Sequence, residues 1–139
     1  MDHTNSIQRL YDVINAGDLD GFSRQLADDF VEHDGVPELP PTKAGVVQYF
    51  QMLIAAFPDR HVKVEDVIAC GDKAVARVQV TGTHKGEFMG IPATGKSAAV
   101  ALIDITRFSD DGLAREHWGV VDMFALLQQL GVIPAAPPA

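Results

Sequence analysis

A chain of 139 residues is sized for one domain, taken here as residues 1–139, with a core and room for one cavity. Hydrophobic residues make up 47% of it, which argues against disorder, and a net charge of −8 without any Lys/Arg run argues against nucleic acid and anionic membranes as partners. Cys70 is the single cysteine, which excludes an intramolecular disulfide and a thiolate metal cage.

Ile7, Leu10, Tyr11 and Ile14 recur at helical spacing, with Ser6 as N-cap and Gly17 as stop. Residues 1–5 are expected to fray. Asp18 caps a second short helix carrying Leu19, Phe22 and Leu26. Residues 30–34 are brief and mixed, and the prolines at 37, 40 and 41 then exclude regular structure. Thr42 caps a third helix whose buried stripe is Val46, Tyr49, Phe50, Leu53 and Phe57, and Pro58 ends it. The apolar stretch 46–57 is too short to span a bilayer, and the N-terminus lacks a signal-peptide pattern, so a cytoplasmic protein is expected.

From His61 the period changes to two. Strands are expected over 61–69, 74–81, 98–108 and 113–122, with a Gly-rich loop over 85–96. Met123 to Leu130 read as a closing helix, and residues 134–139 as a frayed tail. Helices first and strands later predict an α+β fold, with N-terminal helices packed on a curved, mostly antiparallel sheet around an apolar pocket.

Asp110-Asp111-Gly112 suits a three-residue hairpin loop, so Ser109 faces Leu113. Counting back, Asp104 faces Trp118, Thr106 faces Glu116 and Val100 faces Asp122. That register places Trp118, Val120 and Asp122 on the face of Asp104, and His117 on the opposite face, where dimer contacts would bury it.

Asp122 has two readings: the N-cap of the closing helix, or a general base whose burial raises its pKa. Asp104, inside an apolar run, is either a structural partner of Arg77 or His117 or a polar wall residue that orients substrate. Glu116 is expected in a surface pair with Arg107 or Arg115. His33 and His84 flank irregular segments, and each could donate to an enolate oxygen. His3 and His61 look solvated, and Cys70 reads as structural. The histidines lack metal-ligand spacing, and no phosphate loop or nucleophile elbow is present.

Three segments carry a resemblance: Asn15 to Asp20; Thr81 to Lys96; and Ile103-Asp104-Ile105 followed by Glu116-His117-Trp118-Gly119-Val120-Val121-Asp122. With Phe57-Pro58-Asp59 they resemble the SnoaL-like polyketide cyclases, or ester cyclases, of the nuclear-transport-factor-2-like superfamily. The resemblance implies a cone-shaped α+β barrel, homodimers packed through the sheet, and ring closure by intramolecular aldol condensation without metal or cofactor. It also implies that Asp122 is the acid/base and that Asp104, Thr106 and Val120 touch substrate. On this reading Trp118, Val120, Phe50 and Leu53 exclude water, and His33 or Asp104 holds the enolate oxygen. The expected substrate is a small hydrophobic carbonyl compound. The alternatives are another cofactor-free reaction in the same cone (isomerase, hydrolase or dehydratase) and a non-catalytic small-molecule-binding dimer.

Overall fold

The computed structural model describes residues 2–134. Helix α1 spans His3–Ala16. It starts earlier than Ser6 because the Asp2 carboxylate accepts the Thr4 N–H at 2.9 Å. His3 is buried and stacks on Phe108 at 5.0 Å, so residues 3–5 are anchored and His3 is not solvated. Gly17 closes the helix at φ 69°, a left-handed conformation that glycine adopts without strain. Asp18 caps α2, Leu19–Arg24, and Thr42 caps α3, Lys43–Ala56.

Between them lies a strand the periodicity does not show, β1 at Leu26–Glu32, so Leu26 is extended rather than helical. Strands β2 (His61–Cys70), β3 (Lys73–Thr83), β4 (Ser97–Phe108) and β5 (Ala114–Val121) follow, and α4 spans Met123–Gln129. The tail expected to fray from residue 134 falls mostly outside the described residues.

The strands form one curved, unclosed sheet in the order β1-β5-β4-β3-β2. Only the β1–β5 pair is parallel. The helices cover the sheet's inner face, the α+β arrangement expected. Ile7, Leu10 and Tyr11 of α1 and Phe22 and Phe50 of α2 and α3 bury against Ala74, Ala76 and Val78 of β3. Each large apolar side chain so buried contributes about 1.5–3 kcal/mol. A second cluster joins Leu126 and Leu130 to Phe57, Phe88 and Val100, holding the end of the chain against β4.

The β4–β5 register decides what faces inward. Ser109 does meet Leu113, and Phe108 pairs with Ala114. A β-bulge then leaves Arg115 unpaired, and Arg107 pairs with Glu116. Arg115 reaches across to an ion pair with Asp29. One extra residue exchanges the faces beyond it. Thr106 therefore pairs with His117, Asp104 with Gly119 and Ile105 with Trp118. The expected register fails here: His117 turns inward beside Asp104 and Thr106, while Trp118 and Val120 turn outward.

Candidate active site

Three neighbouring strands assemble the site. Glu32 at the end of β1 is the parallel partner of His117 on β5. On the other side of β5, Asp104 of β4 pairs with Gly119, two residues beyond His117. Gly119 has no side chain to separate them. A β-carbon built there would lie 2.8 Å from both Asp104 Oδ1 and His117 Cε1. His117 Nε2 therefore meets Asp104 Oδ1 at 2.9 Å, and its Nδ1 meets Glu32 Oε2 at 2.7 Å and Oε1 at 2.9 Å. From α1, Tyr11 donates its hydroxyl proton to Asp104 Oδ2 at 2.6 Å.

With a carboxylate at each ring nitrogen, both nitrogens must donate, so His117 is an imidazolium. Burial alone would lower its pKa. Hydrogen bonds from the ring to Asp104 and Glu32, and the charges of those groups, override burial and raise it to about 10. Burial, then the Asp104 charge, pushes the Tyr11 phenol up. Burial, then the charges of Glu32 and Asp104, does the same for Tyr49. Both phenols are donors at neutral pH.

This network borders an apolar cavity of about 280 Å³, walled by Tyr49 and Leu53 of α3, Val100 of β4, and Phe88 and Leu126. A second apolar cavity of about 190 Å³ shares Glu32, Tyr49, Leu53, Asp104 and His117 as walls. The acid–imidazolium network is thus a polar patch in a mostly apolar enclosure. Among the described residues no group of His, Cys, Asp and Glu is arranged to hold a metal ion, and no helix is long and apolar enough to cross a membrane.

The structure divides the residues singled out from sequence. Asp104 and Leu53 line both cavities, Thr106 and Phe50 line the smaller, and Val120 meets the rim of the larger although its side chain is 73% exposed. Asp122 is exposed and is the N-cap of α4, accepting the Ala125 N–H at 3.0 Å. Of its two readings the geometry matches the cap and not the sequestered base: β5 ends at Val121 and the carboxylate satisfies the helix's free N–H. Trp118 is not a cavity wall. It stacks outside the sheet on His33, ring to ring at 4.6 Å, and His33 lines neither cavity. His84 is fully buried against Phe57, its Nδ1 held by Thr94, and lines neither cavity. Cys70 is exposed. Glu116 does pair with Arg107, at 3.2 Å.

Sequence reasoning missed Glu32, Tyr11, Tyr49 and Asp34. Tyr11 and Tyr49 fell on apolar helix stripes, where a phenol reads as core. Asp34 lines the larger cavity and accepts the Gly119 N–H at 2.9 Å. The signal that finds Glu32 is a β1–β5 parallel pairing, which requires recognising β1.

The chain matches the family model described as SnoaL-like polyketide cyclase over residues 4–130. Among solved structures it is similar to AclR, a candidate hydroxylase from Streptomyces galilaeus, with 32% identity and a TM-score of 0.85 over 97% of this chain and 84% of that one. It is similar to TsrD from Streptomyces laurentii, with 30% identity and a TM-score of 0.84 over 96% and 99% of the two chains. It is also similar to IdmH, a candidate polyketide cyclase from Streptomyces antibioticus, with 34% identity and a TM-score of 0.81 over 94% and 99%. No curated protein matches the chain.

Proposed function

We propose, because this chain belongs to the SnoaL-like polyketide cyclase family, that it closes a ring by acid/base aldol chemistry, with Asp104 rather than Asp122 as the proton carrier. The observation that carries this reading is the Asp104–His117–Glu32 network, set in the wall of an apolar cavity.

Asp104 accepts one hydrogen bond on each oxygen, from His117 and Tyr11, and a carboxylate has lone pairs left for a substrate proton. A carbon already acidified by two carbonyls can give up its proton to a carboxylate. Asp104 removes that proton. The enolate builds up beside the His117 imidazolium, whose charge offsets it in a site of low dielectric. Tyr49, held protonated at the same wall, donates to the enolate oxygen. The enolate carbon attacks a second carbonyl of the same folded molecule, and protonated Asp104 returns the proton to the new alkoxide. Leu53, Phe50 and Val100 supply the apolar surface that folds the substrate, and proximity lowers the barrier.

Asp104→Asn removes the proton acceptor and keeps the shape. It is expected to lower kcat on a polyketide 1,3-dicarbonyl ester by about 10²–10⁴-fold. Unchanged kcat would mean the base lies elsewhere.

The protein acts as a homodimer through the outer sheet face. Ile68, Ile103 and Val120 are 50–73% exposed there, next to the Trp118–His33 stack, an apolar patch of the kind that self-association covers. Sedimentation should give twice the 15.0 kDa chain mass, and Ile103→Glu should return it to one chain. A wild-type monomer would refute this.

A further inference from the structure

The two cavities meet at a shared ring of side chains. Glu32, Tyr49, Asp104 and His117 supply its polar part, and Leu53, Val80 and Leu102 its apolar part. These residues come from four consecutive strands, β1, β5, β4 and β3, and from α3. The shared wall therefore has a sheet on one side and a helix on the other, which makes it a neck rather than a partition. A polar belt thus lies between two apolar spaces.

The two spaces differ at their far ends. The larger reaches solvent past Met89 and Val120, both exposed. The smaller ends among Leu10, Phe22, Leu26, Phe30 and Val78, all buried. It is a blind chamber of about 190 Å³. Beyond the neck its lining carries two hydroxyls and no charge: Thr106, and Tyr11, which is committed to Asp104. An apolar void of this size destabilises a fold, because the atoms around it lack partners. A void of about 150 Å³ lined by such side chains stays dry and takes up benzene. The chamber is therefore matched to one aromatic ring or a short alkyl group, and it opens only onto the neck where the acids and the imidazolium stand.

We propose that the smaller chamber is a specificity subsite, which takes one uncharged apolar arm of phenyl size while the polar part of the same molecule stays in the neck and the remainder extends into the larger cavity. This rests on the cyclase reading for what happens at Asp104, but occupancy of the chamber is measured by binding, without turnover. A molecule held on both sides of the neck cannot slide along it. The length of the arm in the blind chamber then sets which carbon stands at Asp104, and so which ring closes. The substrate class is a 1,3-dicarbonyl compound with an aryl or short alkyl group at one end; longer or charged ends are left to the open side.

The test compares benzoylacetone with acetylacetone, which has a methyl group where the first has a phenyl, by calorimetry on the whole chain. Wild type should bind benzoylacetone about ten-fold or more tightly, the scale of burying one aromatic ring. Val46 lines the chamber and not the larger cavity, so Val46→Phe fills the chamber alone and should abolish that preference. Equal affinities or no binding of benzoylacetone in wild type would overturn the subsite. So would a preference that survives in folded Val46→Phe, which places the ring in the larger cavity. Should Val46→Phe fail to fold, nuclear Overhauser contacts from the phenyl protons in the wild-type complex decide. Contacts to the Leu10 and Val46 methyl groups support the proposal, and contacts confined to those of Val100 and Leu126 reject it. A filled chamber together with full turnover by Asp104→Asn would sink the cyclase assignment and leave the subsite standing.

Discussion

Gly119 holds the site together by what it lacks. Its neighbours on β5 point away from Asp104, and at its own position any side chain would stand between Asp104 and His117. Gly119→Ala should push the pair apart, leave His117 with Glu32 alone, and bring the imidazole pKa well below about 10. Titration of the His117 ring nitrogens by NMR checks this; an unaltered His117 titration in Gly119→Ala would contradict it. At this scale the sequence was half legible. An acid inside the apolar run of β4 needs a partner, and His117 was one of two partners that the reading of Asp104 offered. Glu32 could not be read, because its role depends on a parallel pairing across some eighty residues of chain. Tyr11 could not either, since an i, i+4 stripe does not distinguish a phenol that packs from one that donates.

The elements were legible where local chemistry writes them. Asp18 and Thr42 cap helices, and Asp110-Asp111-Gly112 makes the expected turn. Strand β1 was not, because Asp28 and Asp29 break its apolar pattern; its burial runs in pairs instead of alternating. The bulge at Arg115 was also silent. No glycine or proline marks it, and the Arg115–Asp29 ion pair that accompanies it joins residues far apart in sequence. That one residue moved Trp118 out of the pocket and His117 into it. Helix α4 shows the same limit, since a carboxylate at a strand end beside an aromatic residue describes both a base and a cap. As a cap, Asp122→Ala should lower stability by about 1 kcal/mol, read from urea unfolding, without altering kcat. Asp122→Asn, which still caps, should change neither by much. A large loss of kcat in Asp122→Asn at normal stability would restore Asp122 as the base.

At the scale of the whole molecule, His117 couples the fold to pH. Its pKa is about 10 folded against about 6.5 in an unfolded chain. The folded state therefore holds a proton that the unfolded state releases between those values. The stability this contributes is complete below about pH 6.5 and is lost as pH rises toward about 10. Unfolding in urea at intervals across that window should show wild type losing stability more steeply than His117→Gln; parallel curves would show that the imidazolium adds nothing. The same proton connects stability to chemistry, because the imidazolium both binds the two acids and faces the cavity where an enolate would form. On the proposed cyclase reading, folding and catalysis draw on one buried charge network, and the residue that carries the substrate proton should be part of it. The most direct measurement is a side-by-side kcat determination for Asp104→Asn and Asp122→Asn on a polyketide 1,3-dicarbonyl ester. The account predicts that turnover collapses in the first and persists in the second; the reverse pattern would contradict it.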